Sequence, residues 1–109
     1  MAGSINRQGT TREALLERRL ALVGNVSALT AEALRLNQKL AGIEIDVLRM
    51  ELEIGRNGAS AQLVQDLHEA EGSAEAIINA RAACEDRIAV AEGEVADVDR
   101  ELAATVNED

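Results

Sequence analysis

Two long apolar seams constrain this chain more than any other feature. Step alternately four and three residues from Leu15 and the positions are Leu15, Arg19, Leu22, Val26, Leu29, Ala33, Leu36, Leu40, Ile43, Val47, Met50 and Ile54. The same step from Leu63 gives Leu63, Leu67, Ala70, Ala74, Ile77, Arg81, Cys84, Ile88, Ala91, Val95, Val98 and Leu102. Each seam has one basic interruption, Arg19 or Arg81. A 3.5-residue apolar period over this length is the mark of helices that pack side by side as a coiled coil.

Composition agrees. The 109 residues include no Pro, Phe, Tyr or Trp. Proline would break a helix interior, and aromatic residues favour strands, so a chain without either and rich in Ala, Leu and Glu reads as all-α. Local signals place the helix ends. Thr10 and Glu13 form a T-x-x-E capping box. Asn57 and Gly58 suit the left-handed residue that closes a helix, and Ser60 is a good N-cap. The expected organisation is a flexible segment over 1–9, a helix over 10–56, a turn over 57–60, a second helix over 60–106 and a tail over 107–109. Helices of about 46 residues would each run roughly 70 Å at 1.5 Å per residue.

Equal lengths and a short connection predict a long antiparallel two-helix hairpin. Folding about Gly58 and Ala59 pairs residues whose numbers sum to 117. Leu15 then meets Leu102, Leu40 meets Ile77, Ala33 meets Cys84 and Ile54 meets Leu63. Every seam residue faces a seam residue, and several large ones face small ones, which favours interdigitation. Arg18 falls near Glu94 and Glu101, and Glu32 near Arg87, whereas Glu44 and Glu71 repel. Arg19 and Arg81 are expected to reach sideways to flanking carboxylates. A polar seam position also penalises slipped pairings.

The first helix carries a second apolar set at Leu16, Leu20, Val23, Leu34, Ala41, Leu48 and Leu52. Leu20, Leu34 and Leu48 recur every fourteen residues. The equivalent line on the second helix is Ala82, Ala89, Ala96 and Ala103, with Ile78 and Val106 beside it. An apolar stripe this wide needs cover on more than one side, and the alanine-rich second seam buries little area per residue. Self-association is therefore expected, as a homodimer or higher homo-oligomer in which two hairpins form a four-helix bundle through the Leu20–Leu34–Leu48 line, with Leu52 beside it. Gly24, Gly42, Gly55, Gly72 and Gly93 fall inside the helices. They mark either a tolerant exposed face or a close backbone approach by a partner.

The formal charge is −9, unevenly spread. Residues 1–58 hold eight basic and seven acidic side chains, and residues 59–109 hold three basic and thirteen acidic ones. Direct nucleic-acid binding needs clustered Lys and Arg and is not expected. An acidic surface that includes Glu92, Glu94 and Asp99 permits a basic protein partner. The rival to a structural or adaptor protein is thus an acidic binder of a basic site, such as a phage-type inhibitor that mimics nucleic acid or a small secretion-type chaperone.

Little points to chemistry. The "GRNG" at residues 55–58 resembles the G-x-x-G loop of KH-type nucleic-acid-binding domains over four residues. That fold needs a β-sheet, and no strand pattern is present. A helical hairpin of this length is similar to the WXG100 family, whose turn carries W-x-G, a motif that a chain without tryptophan lacks. His68, Glu71 and Glu75 lie on one helical face, but the Glu-x-x-His pattern of di-iron bundles needs Glu where Gln65 stands. Cys84 is a seam residue with no base nearby. No cofactor, metal or enzymatic activity is expected. One cysteine excludes an internal disulfide and fits a reducing cytoplasm. The polar start "MAGSINRQGTT" lacks the apolar core of a signal peptide, and no apolar run reaches the roughly 18 residues of a membrane span.

Overall fold

The structure is a computed structural model. It describes residues 2–107, with side chains over 11–106. Two helices, α1 (Ala2–Asn57) and α2 (Ala61–Asn107), form an antiparallel hairpin, and no strand occurs among the described residues. By contacts the chain divides into two compact units, Met1–Thr30 with Asp86–Asp109, and Ala31–Glu85.

α1 starts at Ala2, well before Thr10. The T-x-x-E box is thus not a helix start. A cap is worth only about 1 kcal/mol, and no proline stands upstream to stop the helix from extending. The flexibility expected of residues 1–9 concerns side chains outside those described.

The seams form the packing surface. Every residue of both seams is buried or half-buried. Outside the seams only Glu32, Asp66, Glu94 and Thr105 are less than exposed among residues 11–106. In the first unit the core is Leu15, Ala91 and Val98, with Val98 only 1% exposed. In the second it is Leu40, Ile77 and Cys84.

The second unit holds the turn. Gly58 has φ +85°, in the left-handed region that L side chains adopt at a cost. Its N–H donates to the Ile54 carbonyl at 2.9 Å, the five-to-one bond that closes a helix C-terminus. Two residues on, the Ser60 hydroxyl accepts from the Leu63 N–H at 3.1 Å, and the Ser60 carbonyl accepts from the Val64 N–H at 3.0 Å. Those are the bonds of a helix N-cap. One glycine and one serine thus end one helix and begin the next within three residues.

Both seam arginines leave the seam sideways. In the first unit Arg19 Nε donates to Asp99 Oδ1 at 2.6 Å, and Arg19 Nη2 approaches Oδ2 at 3.5 Å. In the second, Arg81 Nη1 donates to Asn37 Oδ1 at 2.9 Å, and Glu85 lies 4.0 Å away on its own helix. Each cross-helix pair sums to 118, one residue from the expected register. Arg81 thus reaches the flanking carboxylate of Glu85, as expected, and also an amide across the hairpin.

Candidate interaction surfaces

The outward side of α1 is apolar in both units. In the first, Leu20 is 74% exposed, and Leu16 and Val23 are exposed beside it. In the second, Leu34, Ile45, Leu48 and Leu52 are each about half exposed. An open groove of about 520 Å³ runs along this part of α1 between Ala41, Ile45, Val47 and Leu48, rimmed by Glu44 and Glu51. Ile45 is absent from the apolar set read from the sequence. It stands seven residues before Leu52, at the same heptad position, and that spacing was the available signal.

The acidic residues singled out on α2 fall in the first unit and differ among themselves. Asp99 holds Arg19, and this bond, with the charge behind it, raises the guanidinium pKa. Glu94 is half-buried and lies 3.9 Å from Arg18, as its register position predicts. Asp97 pairs with Arg100 one turn along α2. Glu92 is exposed and rims a groove of about 300 Å³ between Val23, Val26, Val95 and Ala96. Much of the carboxylate density of this segment is therefore matched by arginine. On α1, Glu32 pairs with Arg35 of its own helix.

The residues weighed for chemistry stay apart. No three His, Cys, Asp or Glu side chains among the described residues are grouped so as to hold a metal ion. His68 is exposed, and Cys84 is buried in the seam. No helix of the structure is long and apolar enough to cross a membrane. At Gly24, Gly42, Gly55, Gly72 and Gly93 an added Cβ would meet nothing within 4 Å. Packing within the chain therefore does not explain these glycines.

No protein-family model, curated protein or solved structure matches the chain.

Proposed function

We propose that this protein is a non-enzymatic coiled-coil structural or adaptor protein that acts by self-association and protein–protein contact. The observation that carries this reading is the uncovered outer side of α1, with Leu20, Leu34, Ile45, Leu48 and Leu52 facing solvent. Burying a leucine contributes roughly 1.5–3 kcal/mol, so several on one helix face supply enough to hold a partner.

The small core supports the same reading. Among the described residues six are buried, and only Val98 is almost wholly so. The chain exposes 7829 Å². A compact chain of 11.6 kDa exposes roughly 5,800 Å². The excess, about 2,000 Å² per chain, is more than the roughly 800 Å² that each partner of a standard interface removes from water.

The acidic-binder reading has less support, because Glu94, Asp97 and Asp99 already face arginines of the same chain. Light scattering across a concentration series tests the proposal. A homodimer or higher homo-oligomer of hairpins is the expected result, and a monomer at every concentration rejects it.

A further inference from the structure

We infer that the partner on the outer side of α1 is α1 of a second copy, running parallel and in register over residues 34–56. This rests on the self-association proposed above and adds the direction and chemistry of the contact. Stepping alternately four and three from Leu34 gives Leu34, Gln38, Ala41, Ile45, Leu48 and Leu52. All are exposed, none is charged, and all belong to one compact unit. The line lies nearly opposite the hairpin seam on α1, so α2 does not cover it.

The residue types select two parallel strands. Ile45 occupies the position where a β-branched residue favours a parallel pair, and Leu34 and Leu48 occupy the alternating position where such pairs carry leucine. Gln38 is the single polar member, and one polar residue in such a line specifies register at some cost in stability. The groove beside Ala41, Ile45 and Leu48 provides the hole for the opposing knobs.

The flanks fix the direction. On one side of the line stand Glu44 and Glu51, and on the other Arg49 and Arg56. In a parallel pair a flank residue meets the opposite flank of the other helix five positions further on, whereas in an antiparallel pair like flanks meet. Parallel pairing therefore sets Glu44 against Arg49 of the second copy and Glu51 against Arg56, four contacts over the two-fold axis. Antiparallel pairing sets Glu against Glu and Arg against Arg. Glu44, Glu51 and Arg56 make no ion pair among the described residues, and Arg49 reaches Asp46 only at 4.0 Å. α2 also fits this arrangement. With three basic and eleven acidic residues over Ala61–Asn107, two copies of it repel at short range, and joining through α1 keeps them apart.

The test uses the full chain in two parts, with circular dichroism as the check on folding. In a Cys84→Ala background, Ala31→Cys and Leu52→Cys are made separately and oxidised mildly. A parallel in-register pair crosslinks both variants to themselves, whereas an antiparallel pair can crosslink one of them at most. In the second part, Glu44→Lys with Glu51→Lys is made in one chain and Arg49→Glu with Arg56→Glu in another. Each alone is expected to associate roughly tenfold more weakly or worse, since every flank contact becomes repulsive. Mixed together they should form a heterodimer at least as tight as the wild-type homodimer. An oligomer that fails both parts overturns the parallel arrangement and leaves self-association standing. A wild-type chain that stays monomeric overturns both.

Discussion

The two helices present matched inner sides and unlike outer sides. Inward, each supplies one apolar seam interrupted by a single arginine that reaches a polar group across the hairpin. Outward, α1 shows seven large aliphatic side chains, five of them leucine, whereas α2 shows mainly alanine, glycine and carboxylates, with Val64, Ile78, Val90 and Val106 scattered among them. A hairpin needs only the inner sides. Leucines facing water on one helix contribute nothing to that need and are a liability for solubility. On the self-association proposed above, the outer side of α1 carries the contact and the outer side of α2 stays out of it.

The largest effect should come from equalising those outer sides. Leu34→Glu with Leu48→Glu places charge on the α1 line, where each lost leucine removes roughly 1.5–3 kcal/mol of burial per chain. The dissociation constant of the oligomer should rise by about 100-fold or more, read by sedimentation or light scattering. Ala82→Glu with Ala89→Glu makes the equivalent change on α2 and should leave association within about twofold. Equal losses from both pairs would mean that α2 shares the interface and that the helices do not differ in role.

The hairpin was legible in the sequence because its determinants are local and repeated. A seam of twenty-odd positions needs only the heptad period, and all of them are buried or half-buried. The turn was legible because Gly58 and Ser60 are the residue types that its left-handed backbone and its cap demand. The start of α1 was not. A capping preference is small beside the cooperativity that carries a helix through a chain without proline. Ile45 was less legible because the fourteen-residue recurrence of Leu20, Leu34 and Leu48 marks one line, whereas Ile45 stands with Leu52 on the neighbouring heptad position. The function of the surfaces was less legible again, because a contact face of leucine and alanine has no motif, only area and pattern.

Glycine substitution gives effects of intermediate size and opposite sign in two places. Gly58→Ala forces a side chain onto φ +85° and should destabilise the chain by about 1–2 kcal/mol. Gly72→Ala and Gly93→Ala meet open space on α2 and should each stabilise it by up to about 1 kcal/mol. Urea unfolding at one fixed protein concentration reads both. If either α2 substitution instead weakens association, the glycine marks a close approach by a partner, and the outer side of α2 is not passive.

The smallest effect is expected at Glu92, and that makes it the cleanest probe of the acidic surface. Reversal at Glu94 or Asp99 also breaks a contact with Arg18 or Arg19, so any loss of binding would be mixed with a loss of packing order. Glu92 is exposed and has no ion pair among the described residues. Glu92→Lys should leave the unfolding midpoint and the oligomeric state unchanged within error. It also changes the local charge by two units beside the groove at Val23 and Val95. If a basic partner used this surface, its affinity would fall with Glu92→Lys, and the loss would shrink as salt is added, because exposed charges are screened beyond about 10 Å at 0.1 M. A partner whose affinity ignores both Glu92 and salt binds apolar surface instead, and the α1 line is then where to look for it.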